Sequence, residues 1–379
     1  MNRSTRVVIL RSNPVAPDPR VEKTARSLLG AGYKVQVVGW DRSCRERQIP
    51  PPDLDIHRIP QRGDYGRGIR NAVSFLKWSQ KLLCWLVQNA KSYDIIHACD
   101  FDTVLPAFLV SVFLQKKLVY DIFDFMADAS RNVPRPVRFL VRSLDLWLIG
   151  RADLVVLADD SRRAQIHGSK PRRITVTYNS PEASLPFTPQ APLTPAFNIG
   201  FVGTLMLDRG LSEMIRAIAG DSRFHLHLAG YGGDEEAIRA MCQELPNVTL
   251  LGKVSYTRAL EIYSGCQLMF AIYDPRNPNQ RFSSPNKVFE SLMLGLPVIV
   301  AKDTGIDELV RLHKIGYVIP YQDEAALKST LEAALSESAQ ERMDRSRRLQ
   351  LLFNDEFAWE RQGARLIREY EKMLKGSEC

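Results

Sequence analysis

The sequence predicts an α/β protein of two doubly wound domains, and three observations carry that prediction. Short β-branched runs alternate with longer amphipathic stretches along the 379 residues. One proline-rich passage, holding Pro181, Pro186, Pro189, Pro192 and Pro195, interrupts the alternation near its middle. The length exceeds the roughly 100–200 residues of a single domain, so two cores are expected. The boundaries that follow are an N-terminal domain over 1–187, a C-terminal domain over 196–354, and a last helix over 355–379 that folds back onto the first domain.

In the first domain, strands are expected at 6–10, 34–38, 94–97, 117–120, 154–158 and 174–177. The run Val7, Val8, Ile9 and Leu10 is too short for a signal-peptide core and stops at Arg11, which makes it a first buried strand. Ligands of open α/β sheets bind beyond the carboxyl ends of the strands. His97, Asp100, Asp121 and Asp124 fall near such ends, where each reads either as a substrate contact or as a cap on its own strand. The second domain repeats the rhythm. Strands are expected at 198–202, 224–229, 248–251, 268–272 and 297–301, with helices at 211–219, 235–244, 256–264 and 286–294 between them. Charge-rich helices follow over 325–374.

Composition narrows the function classes. No apolar run approaches the roughly 18 residues of a membrane span. The cysteines, Cys44, Cys84, Cys99, Cys242, Cys266 and Cys379, are scattered without a C-x-x-C pair or clustered His, so reduced cytosolic thiols and no metal site are expected. The net charge of +8 is unevenly placed: residues 1–187 hold about 29 Lys and Arg against about 18 Asp and Glu. Such a field suits nucleic acid, anionic lipid or a phosphorylated partner alike. No nucleic-acid motif accompanies it, so no nucleic-acid partner is expected.

Three stretches of the second half carry chemistry. Gly200, Phe201, Val202, Gly203 and Thr204 leave a strand, and Asp208, Arg209 and Gly210 open a helix. Glycines admit a phosphate close to the backbone, a helix N-terminus offers free N–H groups, and Arg209 adds a fork of donors. A tight turn with a solvated Arg would read the same way. The turn Gly230, Tyr231, Gly232, Gly233 and Asp234 also joins a strand to a helix, but the acidic partner of a dinucleotide fingerprint is missing, which excludes a nicotinamide cofactor. In 283–299, Ser284, Pro285 and Asn286 start a helix that Gly295 and Pro297 end. Lys287 and Glu290 lie three apart on it, suited to a phosphate and a ribose diol, or to a surface salt bridge.

Taken together, FVGTLMLDRGL, the GYGG turn, LLGKVSYTRALEIYSGCQLMFAIYD and SSPNKVFESLMLGLPVIV resemble the donor-binding half of family 4 of the GT-B-fold retaining glycosyltransferases. RSNPVAPDPRVEKTARSLLGAGYKVQVVGWDR, DIIHACD and LVYDIFDFMAD resemble the opening of the bacterial and archaeal members that build surface glycans. The resemblance implies a GT-B architecture, two Rossmann-like domains facing across a cleft. It implies a UDP- or GDP-linked sugar as donor substrate, with no other cofactor and no metal. Arg209 and Lys287 would contact the diphosphate, Glu290 the ribose, and Gly230, Tyr231, Lys253 and Val254 the surroundings of the base, with Gly203, Thr204, Ser284 and Asn286 completing the donor site. Arg209, Lys287 and Asp100 form the expected catalytic set, and retention would need no enzyme nucleophile. Arg20 and Glu22, placed in the first loop, read as acceptor contacts or as solvated charges.

Two positions depart from the family pattern: Phe282 stands where a Glu often touches the donor sugar, and Phe123 where a His commonly follows the YD pair. Both concern the sugar ring. A nucleotide-sugar 2-epimerase of the same fold and a non-catalytic glycan-assembly subunit are the competing readings; the Phe at 282 weighs against the first, and Arg209, Lys287 and Glu290 against the second. The acceptor is expected to be lipid-linked and the protein peripheral on the inner face of the cell membrane. In 69–88, helical spacing gathers Arg70, Ser74, Lys77, Lys81 and Gln88 on one face and Phe75, Trp78, Leu82 and Trp85 on another. In 135–149, Arg135, Arg138 and Arg142 oppose Leu140, Leu144, Trp147 and Leu148. Both patterns fit a helix lying on an anionic bilayer, or a core-facing helix with a solvated basic face.

Overall fold

A computed structural model describes residues 4–44, 49, 51–63, 72–129, 134–185 and 187–376. Of the positions named above, Arg70, Pro186 and Cys379 lie outside them. The chain divides into two units, Met1–Tyr178 with Gln362–Cys379, and Asn179–Arg361. Each unit holds one parallel sheet with helices on both faces, which is the doubly wound α/β architecture expected.

The first unit runs β1 (Arg6–Arg11), α1 (Pro19–Gly30), β2 (Lys34–Asp41), β3 (Asp55–Pro60), α2 (Ala72–Gln88), β4 (Ile95–Cys99), α3 (Phe101–Phe113), β5 (Lys117–Ile122), α4 (Met126–Ala129), α5 (Arg135–Ile149), β6 (Leu154–Leu157), α6 (Arg162–Gln165) and β7 (Ile174–Val176). The sheet order is β3-β2-β1-β4-β5-β6-β7, all parallel, with Ile9 beside both Val37 and His97. Because side chains alternate along a strand, β1 sends Val8 and Leu10 into one core and Val7 and Ile9 into another. A parallel sheet covered on both sides needs apolar residues at every position, which is why VVIL is continuous rather than alternating. Helices α2, α3 and α5 cover the first face. The second is covered by α1 together with Leu366, Tyr370 and Met373.

This layering corrects three expectations. Trp78 and Leu82 are fully buried, Trp78 stacked on Trp40 with centroids 5.0 Å apart, and Phe75 and Trp85 pack on the same core. The arc they form is therefore the sheet-facing stripe of α2, since an amphipathic helix turns its bulkiest apolar stripe to the core. In α5, Leu148 is buried and Leu144 packs on the core, while Leu140 and Trp147 are exposed, so helical spacing merged two faces. Arg20 and Glu22 belong to α1 rather than a loop. Arg20 is buried against Asp121, and Glu22 accepts the Asp18 N–H at 2.8 Å while Asp18 caps the helix through the Val21 N–H.

The second unit runs β8 (Phe197–Thr204), α7 (Leu211–Ile218), β9 (Phe224–Tyr231), α8 (Glu235–Cys242), β10 (Val248–Leu250), α9 (Tyr256–Ser264), β11 (Leu268–Ala271), α10 (Pro278–Arg281), α11 (Asn286–Leu294), β12 (Val298–Ala301), α12 (Ile306–Leu312), β13 (Tyr317–Ile319), α13 (Glu324–Ser336) and α14 (Ala339–Leu352). Its order is β10-β9-β8-β11-β12-β13, again all parallel. The last helix, α15 (Trp359–Lys375), begins in this unit and supplies the first unit's cover from Gln362 on. In both sheets the strand order reverses beside the first strand, between β1 and β4 and between β8 and β11, and such switch points open a crevice at the carboxyl edge.

Candidate functional site

The carboxyl edge of the second sheet gathers the glycine turns. Gly203 lies beside Gly230 and Thr204 beside Tyr231 in the register of β8 and β9. The two glycines are required by approach: a Cβ on Gly230, whose φ is +136°, would stand 1.8 Å from the Gly203 carbonyl oxygen. A Cβ on Gly203 would stand 2.8 Å from the Lys287 Nζ. Lys287, in the first turn of α11, therefore aims its ammonium at the bare backbone where β8 ends. It is only 7% exposed, lies over the Phe201 ring at 4.3 Å, and has no hydrogen-bond or ion-pair partner among the described residues.

The neighbours extend this edge in both directions. Tyr231 is exposed, with the Lys253 ammonium 5.0 Å from its ring centre, and the Gly230 N–H donates to the Gly252 carbonyl at 2.7 Å, tying the β9 turn to the segment holding Lys253 and Val254. On the other side, Arg209 ends a single 3-10 turn after β8 and stacks on Tyr273 at 4.4 Å. Its Nε has no hydrogen-bond partner, and Asp208 is 4.0 Å away. Gly210 follows at φ +70°, packed so closely on Ile272 that a Cβ would meet that side chain at 2.6 Å. Ser284 has a buried hydroxyl without a partner just before α11, and Asn286 is exposed at its first position. Glu290, one turn after Lys287, is buried, and its carboxylate lies near enough to Tyr256 to raise that hydroxyl's pKa together with desolvation. Lys287 and Glu290 do not form a surface salt bridge, because both are buried.

The first sheet places a second charged group at its switch point. Arg11 at the end of β1 is paired with Asp18 at 2.8 Å and with Asp100, the residue after β4. Asp100 has φ +66° and ψ 169°, a backbone region that essentially only glycine adopts. Its carboxylate accepts the N–H groups of Phe123 at 2.8 Å and Asp124 at 3.1 Å. Burial pushes its pKa up to about 6, although Arg11 pulls the other way. Phe123 is clasped between two guanidiniums, Arg11 at 4.3 Å and Arg20 at 4.7 Å. Asp124 is exposed and paired with the buried Arg162.

His97 and Asp121 are not at this mouth. They are buried with Cys99 in a group whose polar atoms lie within 4.8 Å of one another, a spacing that would admit a metal ion. Their hydrogen-bonding capacity is instead directed to protein groups. Asp121 accepts Arg20 at 2.8 Å and meets His97 Nε2 at 3.3 Å, and His97 Nδ1 meets the Tyr370 hydroxyl at 2.5 Å. A guanidinium on the carboxylate disfavours a cation there, and burial pushes the Cys99 thiol up, away from the thiolate a metal would need.

Sequence reasoning missed Tyr256, Tyr273 and Phe201, which neighbour Glu290, Arg209 and Lys287 in turn. Phe201 lies on the strand that ends at the first glycine turn, Tyr273 just beyond β11 and Tyr256 at the start of α9, placements that also occur in plain cores. Phe282 closes α10, with the Arg281 guanidinium 5.6 Å from its ring.

Two families match the chain. The one described as "Glycosyl transferases group 1" covers residues 196–337, and the "Glycosyl transferase 4-like domain" covers residues 16–180. Among curated proteins, the glycogen synthase of Mycobacterium tuberculosis is 22% identical in an alignment of 284 positions that covers 70% of this chain and 66% of that protein, just under two thirds of the relative. Among solved structures, a sucrose-phosphate synthase from Thermosynechococcus elongatus has a TM-score of 0.76 at 16% identity, covering 98% of this chain and 100% of that one. HepE of Anabaena, solved in complex with UDP and glucose, has a TM-score of 0.71 at 15% identity, covering 97% and 100%.

Proposed function

On the premise that the chain is a glycosyltransferase of GT-B type, with glycosyl transferase domains in both halves, we propose that it moves a sugar from a nucleoside diphosphate sugar onto a lipid-linked saccharide, with retention and without a metal, in the assembly of surface polysaccharide or glycolipid. The observation that carries the reading is Lys287. An ammonium on a side chain this buried, with no carboxylate beside it, is placed to take an anion, and the bare Gly203 backbone beside it leaves room for a phosphate. The Arg209 Nε and the Ser284 hydroxyl are further donors without a hydrogen-bond partner in the protein. The UDP held by HepE supports a uridine nucleotide here.

In the reaction, the bond between the sugar's anomeric carbon and the β-phosphate oxygen breaks, and an acceptor hydroxyl oxygen bonds that carbon from the same face. The hydroxyl proton passes to the departing phosphate. Lys287 and Arg209 stabilise the charge that builds on the β-phosphate, in a site where those charges are already positioned. Glu290 takes the ribose hydroxyls, Tyr231, Lys253 and Val254 flank the base, and Asp100 with Arg11 orients the acceptor at the first sheet's switch point.

The test is thermal shift against a panel of UDP- and GDP-sugars. A donor present at about a hundred times its Kd stabilises the folded state by ~2.7 kcal/mol, which raises Tm by roughly 5–10 °C for a unit of this size. One nucleotide series should produce the shift in the wild type and lose it in Lys287→Ala. No shift with any nucleotide sugar would overturn the reading.

A further inference from the structure

The helical layer formed by α2, α3 and α5 has an outer side that the fold does not use. The connections β3-α2-β4, β4-α3-β5 and β5-α5-β6 all step the same way along the sheet, so right-handed crossovers place the three helices side by side on one face. Their inner stripes, Trp78, Leu82, Val104, Ala107 and Leu148 among them, fill the core beneath. Apolar surface nevertheless continues outward. Phe113 is 79% exposed, Phe139 74%, Leu140 67% and Trp147 45%, with Leu76 and Val112 also exposed. Trp147 meets Phe108 edge-on at 5.0 Å, which joins the α5 part of this surface to α3. More than half of the exposed large apolar side chains among the described residues belong to these three helices and the residue that ends α3, and those of the second unit are scattered over its elements. A concentration of this kind marks an interaction surface.

The charges on the same helices select the partner. Lys77 and Lys81 lie on α2, Arg135 and Arg138 on α5, and Lys116 follows α3, whereas Arg142 turns to the Gln165 carbonyl and Lys117 is paired with Asp153. The helices carry only two acidic residues: Asp145 is fully buried, and Asp102 lies in the first turn of α3, at the switch-point edge. The ionised groups displayed with the apolar side chains are thus all cations. A second copy of the same face would meet like charge, whereas a negatively charged lipid surface meets both the cations and the aromatic side chains. Among the described residues no helix is long and apolar enough to cross a membrane, so the layer would lie along a bilayer rather than span it.

We propose that this outer face of α2, α3 and α5 docks on an anionic lipid bilayer, with Phe113, Phe139, Leu140 and Trp147 entering the headgroup region. It rests on the proposed transferase reading for its purpose, delivery of the first unit to a lipid-carried acceptor, and not for the binding itself. Of the arcs that helical spacing suggested, this face keeps only Leu140 and Trp147; the other members pack on the core.

The full chain is tested by sedimentation with phosphatidylcholine vesicles, with and without one third phosphatidylglycerol, at low and high salt. Binding is expected only with phosphatidylglycerol, and it weakens as salt screens the charge. The variant Phe113→Ser/Phe139→Ser/Leu140→Ser should bind at least tenfold more weakly while keeping the wild-type Tm and nucleotide-sugar thermal shift, because its three side chains are exposed. Trp147 fluorescence should move to shorter wavelength on vesicle addition, and Trp147→Phe should abolish that shift. Absence of binding at low salt, or equal binding by the triple variant, overturns the proposal. So does a vesicle-independent dimer that the triple variant dissolves, or capture only by an acidic protein. Vesicle binding without any nucleotide-sugar shift would instead remove the transferase reading and leave the surface standing.

Discussion

Asp100 combines two features that each cost free energy. Its backbone occupies a glycine-only region, and its carboxylate is buried with a pKa near 6. Such strain persists only where surrounding contacts fix it, here Arg11 and two N–H groups. Asp100→Ala and Asp100→Gly both remove the carboxylate, but only the glycine relieves the strain. The glycine variant should be more stable in urea by about 1 kcal/mol or more. At the proposed donor site, Lys287→Ala and Arg209→Ala should each lower turnover by on the order of a hundredfold, the usual effect of losing one preorganised hydrogen-bond donor. Circular dichroism of both should match the wild type. Neighbouring glycines and helix-start residues, whose backbone demands are visible in one dimension, drew attention to these residues in the sequence, while their proposed roles came from the family resemblance. The strain at Asp100 was not: nothing in ACDFD signals a residue held at positive φ. Nor was the buried pairing of Arg20 with Asp121, which depends on α1 and β5 lying in adjacent layers.

At the scale of elements, the parallel strands were legible because burial on both faces writes them as runs such as VVIL and VIVA. Strand β3 was missed, since its alternating exposed pattern in DIHRIP looks like loop, and β13 is only three residues long. Faces of helices were the weakest point, because spacing shows that a stripe is apolar and not which of two stripes meets the sheet. Two buried titratable groups give the elements opposite pH responses. On β9, His227 donates to Asn198 at 2.7 Å and stacks on His225, and burial followed by His225 lowers its pKa to about 4. The unfolded chain takes up that proton near pH 6.5, so stability present above that pH is lost as pH falls toward 4, by ~3 kcal/mol. His227→Gln should flatten this acid limb in urea titrations. Under α5, Asp145 has one carboxylate oxygen on the Tyr120 hydroxyl and one without a partner, and burial raises its pKa to about 7. Here the sign reverses: stability present below pH 4 is lost as pH rises through 7, by ~4 kcal/mol. Asp145→Asn, which carries no charge to desolvate, should leave the first unit more stable at pH 8 than the wild type and about equal near pH 4.

The whole molecule is discontinuous in sequence, because the residues from Gln362 on complete the first unit. Leu366, Tyr370 and Met373 are buried against β1, β2, β5 and β6, and the Tyr370 hydroxyl satisfies His97. Tyr370→Phe leaves a buried ring nitrogen unpaired and should cost ~1–3 kcal/mol in chemical denaturation. A chain stopped at 361 should keep a protease-resistant second unit and lose the first, as limited proteolysis with mass spectrometry would show. Protein synthesis meets the same discontinuity in time. The strands of the first unit leave the ribosome early, but the helix that shields one of their faces follows only after the entire second unit, roughly ten to forty seconds later at ordinary elongation rates. The second unit is therefore free to finish folding first. For that interval the nascent first unit holds a sheet face covered by α1 alone, and its remaining apolar surface is the kind that holding chaperones recognise.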